Sequence, residues 1–203
     1  NDFITATQKY LETYSSKLNM QMLQKKETEF LAEIKKIHSD LEKNLDENAD
    51  KIGADTDVIK LKKDELTTNI LTFLIQYQST HGQVTGNPTF KVSKTFSDYE
   101  KSLTKNNDRM VKELPVYRNY LLNKVGQDFQ TFAEKQQDKN TASMSAVFAR
   151  FLATQKEMSQ TTKDYLLAFV IAKFDLNPYT GEVDKVKKVS DEFIKDSEVK
   201  KDL

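Results

Sequence analysis

Apolar residues recur three or four positions apart along most of the chain, and that spacing predicts helices almost throughout. From Phe3 to Leu45 there is no glycine or proline. Phe3, Tyr10, Tyr14 and Leu18, then Phe30, Ile34, Ile37, Leu41 and Leu45, form one stripe. It reads as a single amphipathic helix, or as two with a break near residues 25–28. The stripe drifts out of a strict seven-residue repeat, which argues against a long coiled coil. Gly53 and Asp55 supply a stop and a restart. A second stripe runs through Ile59, Leu66, Ile70, Phe73, Leu74 and Tyr77.

Residues 81–88 read as a loop, because Gly82, Gly86 and Pro88 break the periodicity. Residues 90–103 read as a short extended lead-in and a short helix capped at Ser93. Pro115 suits the first turn of a helix, whose apolar face is Tyr117, Leu121, Val125, Phe129 and Phe132. Polar residues 134–140 end it, and Met144, Val147, Phe148 and Phe151 mark another. Thr161-x-x-Asp164 has the form of a capping box and is expected to open the most buried helix, to about Phe174. Asn177-Pro-Tyr-Thr-Gly181 is a turn. Val183, Val186, Val189, Phe193 and Ile194 carry a last amphipathic helix, and residues 195–203 are expected to fade outward. The fold expected is all-α: an irregular antiparallel helical bundle or a short stack of helical hairpins, with six to seven helices. It is expected as a single helical domain over 1–203, with long helices in 1–78, a loop and short helix in 79–114, and helical hairpins in 115–203.

Composition narrows the chemistry. The 203 residues contain no cysteine, no tryptophan and two histidines. Without cysteine there is no disulfide, thiol nucleophile or redox pair in this chain. Lys+Arg and Asp+Glu both total 31, so there is no basic excess to hold phosphates, and no nucleic-acid partner is expected. The longest apolar run, residues 165–172, falls far short of the ~20 needed to span a bilayer. The chain begins at Asn1 with no signal-peptide pattern, which is read as a cleaved export signal or a piece of a longer protein.

Few motifs in the chain point to a chemistry. Asp46, Asn48 and Asp50 match the first three ligands of a calcium loop, but Lys51 stands where glycine must turn the chain and Asp57 where a bidentate Glu belongs. His38 and His81 lie outside any metal-binding frame and read as surface residues. No nucleophile elbow or phosphate-binding glycine loop is present. A hydrolase with paired carboxylates would need two acids about 5–10 Å apart in a cleft. Catalytic, cofactor-binding and metal residues are all expected to be none, and this chain alone is expected to be no enzyme.

One stretch carries a resemblance. Phe90-Lys-Val-Ser93, then Phe96, Tyr99 and Glu100, then Pro115, Tyr117, Arg118 and Tyr120 resemble the helical region upstream of the thioredoxin domain in TlpA-like thiol–disulfide oxidoreductases of Bacteroidetes. The likeness is sharp over about 35 residues and general over the rest. Members of that family carry a C-x-x-C thioredoxin fold, whereas this chain has no cysteine, so no catalytic role passes to any residue here. The resemblance implies a non-catalytic accessory domain of an exported oxidoreductase, for positioning, oligomerisation or client recognition. It implies a periplasmic or exported location, with membrane tethering through a lipid anchor outside this chain. The partner implied is a thioredoxin-type domain of the same protein or a protein client, and an apolar surface patch is expected where it docks. The alternative is a free-standing exported helical lipoprotein that binds a protein or small ligand. Tyr117, Tyr120 and Phe96 are expected in the core, and Arg118 is expected to pair with Glu100 or Glu113.

Overall fold

A computed structural model describes Thr5, Glu12, Ser16 and residues 18–105, 107–136, 143–176 and 183–203. Among these residues the fold is all-α, with ten α-helices and no strand. The chain divides into two compact units, Asn1–Asn106 and Asn107–Leu203. The division falls within the 79–114 stretch. No helix among the described residues is long and apolar enough to cross a membrane.

In the first unit, α1 (Met20–Leu23) is a single turn capped by Asn19. The predicted break is real, since α2 (Glu27–Ile52) starts just after Lys26. Gly53, at φ 61°, closes α2 in the left-handed conformation that glycine adopts at least cost. Asp55 then caps α3 (Thr56–Val84) by accepting from the amides of Asp57 and Val58. So short a connection makes α2 and α3 an antiparallel hairpin. Phe30 meets Tyr77, His38 meets Thr67 and Asp46 meets Lys63 along it. Phe30, Ile34, Ile37, Leu41 and Leu45 are all buried, as their spacing predicts.

The expected loop at 81–88 is partly helix, because α3 runs on to Val84. Gly82 serves close packing here. Asn87 N–H donates to Gly82 O at 2.7 Å, and a Cβ on Gly82 would lie 2.5 Å from Asn87 O. The chain then turns into α4 (Lys94–Leu103), which Ser93 caps through Phe96 N–H as the sequence suggests. Glu27 fastens this start to α2 by accepting from Ser93 N–H at 2.9 Å and from the Ser93 hydroxyl.

The second unit holds α5 (Asn107–Glu113), α6 (Pro115–Glu134), α7 (Met144–Thr154) and α8 (Gln160–Val170). It also holds α9 (Val183–Phe193) and α10 (Ser197–Lys201). Helix α8 packs against α5, α6, α7 and α10, and it continues into a π-helical turn at Ile171–Asp175. Pro115 opens α6 as expected. The capping box at Thr161 is corrected: the cap is Ser159, whose hydroxyl accepts from Thr162 N–H. Asp164 is instead buried and accepts from the amides of Lys195 and Asp196 and from Gln160. That clamp orders residues 195–203, against the expectation that they fade outward. Residues 197–201 form α10, with Val199 buried within it and Ile194 buried just before it. The turn at 177–181 lies outside the described residues.

Candidate functional site: an apolar cleft in the second unit

Helix α6 buries its apolar stripe unevenly. Tyr117, Tyr120 and Leu121 are buried, whereas Leu122, Val125 and Phe129 further along are only half covered. Phe129 meets Phe148 edge to face at 5.0 Å and lies 5.5 Å from Phe151. Phe132 also meets Phe151, at 5.7 Å, and the aromatic cluster closes one side of the interface. A cleft of about 190 Å³ remains, lined by Leu122, Val125, Gly126 and Phe129 of α6, Met144 and Phe148 of α7, and Val170 and Phe174. None of these side chains is charged. Gly126 adds to the opening, since a Cβ there would meet nothing within 4 Å.

Phe174 and Met144 border the cleft at 54% and 50% exposure, far more than large apolar side chains need to show. The π turn sets Phe174. Leu176 N–H donates to Ile171 O, five residues back, so one extra residue fits the turn and the side chains after it are rotated. Asp175 is turned toward α7, where its carboxylate accepts from Ser145 N–H at 3.1 Å.

Other candidates resolve into structural roles. Asp46, Asn48 and Asp50 lie within α2, where positions two apart point to different sides of the helix and cannot converge on calcium. Asp46 pairs with Lys63, and Asn48 bonds Asn44. Among the described residues no three His, Asp or Glu side chains gather as a metal site.

Both histidines are buried, correcting the surface reading. His81 Nδ1 lies 2.7 Å from Leu23 O, and its ring stacks on Tyr77 and tilts against Phe90. His38 stands between Thr67 Oγ1 at 3.3 Å and Tyr99 Oη at 3.4 Å, with Glu42 at 3.9 Å one turn on. Burial lowers the His38 pKa, and the Glu42 carboxylate partly offsets it. Burial, helped by Glu42, pushes the Tyr99 phenol up to about 12, so it stays protonated.

The residues that carry the family resemblance are mostly packing residues. Phe96, Tyr117 and Tyr120 are fully buried, as expected. Phe96 stacks within 5.8 Å of Tyr77, and Tyr117 within 5.3 Å of Tyr120. Arg118 takes backbone carbonyls in place of the expected Glu100 or Glu113. Its Nε donates to Val111 O at 2.6 Å, and a second nitrogen donates to Lys112 O. It thereby closes the C-terminal end of α5 while its guanidinium lies over Tyr165 and Phe169.

Gly126 is the sequence signal that could have pointed to the cleft. A glycine inside a helix costs about 1 kcal/mol relative to alanine, and this one borders open space, where an apolar face is left uncovered. Fold and site together define an all-α protein of two helical units with an apolar cleft in the second. No protein-family model matches the chain, and neither does any curated protein or solved structure.

Proposed function

We propose that this chain is a non-catalytic helical accessory domain of an exported thioredoxin-type thiol–disulfide oxidoreductase, and that the cleft between α6, α7 and the π turn is where its partner docks. The observation that carries this reading is the cleft itself, with the exposed ring and thioether of Phe174 and Met144 at its border. Apolar surface held open by rigid helices is stabilised when a partner removes it from water, at about 25 cal/mol per Å². A central apolar anchor in such a recess typically dominates docking energy. The resemblance over residues 90–120 supplies the partner: the thioredoxin-type domain of the same protein, for which this domain serves in positioning, oligomerisation or client recognition. A periplasmic location and a lipid anchor outside this chain belong to the same proposal.

The test joins two measurements. The natural reading frame on both sides of residues 1–203 is sequenced, and any C-x-x-C thioredoxin-type domain found there is titrated into the isotope-labelled chain. Saturable shifts in α6 and α7, with affinity reduced about tenfold by Phe174→Ser, are expected for loss of one apolar anchor. A reading frame without such a domain, or binding indifferent to Phe174, defeats the proposal. The volume of the cleft favours a second reading, a free-standing exported lipoprotein that takes a small ligand, since an apolar cavity of ~150 Å³ accommodates a benzene-sized molecule.

A further inference from the structure

A second groove in the same unit has a different chemical character. It lies between α7, α8 and α9, encloses about 290 Å³, and combines an apolar floor with a charged mouth. Ala149 and Ala153, four residues apart on α7, leave room that larger side chains would fill. Leu167 and Phe193 complete the floor from α8 and α9.

The charged groups are arranged unequally. Lys163 of α8 is half-buried, and no ion pair to its ammonium occurs among the described residues. Its stem lies along the groove wall and its ammonium, without an ion pair of its own, is open to an incoming anion. Lys195 lies at the same mouth, its Nζ turned back to Glu192 O at 2.6 Å. Glu192 is the one carboxylate of the lining itself, while that of Asp164 beside it is buried and taken up by the Lys195 and Asp196 amides. Gln160 is committed elsewhere, to Asp164.

We propose that this groove binds a short aliphatic carboxylate, with the carboxylate on Lys163 and the alkyl chain over Ala153, Leu167 and Phe193. The pairing rests on the site's composition. One accessible cation suits one negative charge, whereas a polyphosphate needs several cations, and an apolar floor this small rewards a chain of a few methylenes at about 0.8 kcal/mol each. The inference stands on α7–α9 and does not depend on the docking reading.

Octanoate is the probe, with octylamine as the matched cation of equal chain length, and both are followed by amide chemical shifts of the whole chain. Octanoate is expected to give saturable shifts at Ala153, Lys163 and Leu167, while octylamine leaves them in place. Lys163→Met is expected to weaken octanoate about tenfold, the loss of one charge-assisted hydrogen bond. Ala153→Phe, at an exposed position, is expected to abolish the shifts by filling the groove. Both variants must keep the parent melting temperature within a few degrees, and Lys163→Gln serves if Met does not. The proposal is overturned if octanoate produces no saturable shift in α7–α9, if Lys163→Met and Lys163→Gln bind as tightly as the parent, or if octylamine binds equally well.

Discussion

His38 joins three helices through one ring: its own α2, Thr67 of α3 and Tyr99 of α4. Glu42 faces it from α2, and Lys35 lies over the Tyr99 ring at 4.9 Å. A histidine whose pKa is lower folded than unfolded binds fewer protons in the native state. The stability it contributes is therefore complete above the unfolded value of about 6.5 and is lost as pH falls through the lower folded value. Melting temperature should drop between pH 7.5 and 5, and drop less in His38→Gln. An NMR titration placing the His38 midpoint at or above 6.5 defeats the argument. None of this is legible in the sequence. A lone histidine among charged helical residues looks exposed, and only the crossing of α4 over the α2–α3 hairpin covers it.

At the scale of elements, the legible parts are those with local causes. Gly53 and Asp55, Ser93 and Pro115 act within a turn of their own positions, so sequence alone locates the ends they govern. Helices α5 and α10 escape periodicity because they are seven and five residues long and are held by distant partners. For α10 the partner is Asp164. Asp164→Ala leaves the Lys195 and Asp196 amides without their carboxylate and should cost about 2–3 kcal/mol in urea unfolding. Amide exchange should accelerate first in α10, and unchanged protection there would show that the clamp is idle. Gly82 escapes for the opposite reason: in the sequence a glycine reads as freedom to turn, whereas here it marks lack of room. Gly82→Ala sets a methyl against the Asn87 carbonyl and should destabilise by about 1–3 kcal/mol, measured the same way. An equally stable Gly82→Ala protein would mean the Asn87 loop yields at no cost.

For the whole molecule, each unit carries a core of its own. The first is built on the α2–α3 hairpin with the ring cluster of Phe30, Tyr77 and Phe96, and the second on α8 with the helices around it. Residues 107–203 expressed alone should therefore be helical by circular dichroism and melt cooperatively, since chains shorter than this commonly fold unaided. A flat, non-cooperative melt would show that the second unit borrows its stability. The two clefts are beyond the reach of periodicity, which reports which face of a helix is apolar but not how closely two such faces meet. The π turn at Ile171–Asp175 also fixes how this unit tolerates insertion and deletion. It accommodates one residue more than an α-helix of the same span, at the cost of poorer hydrogen-bond geometry. Deleting one residue there would restore a regular helix and swing the downstream chain by about 100°. Phe174 would then leave the border of the cleft and Asp175 the start of α7, so a single-residue surplus in this helix sets two separate contacts with the neighbouring elements at once.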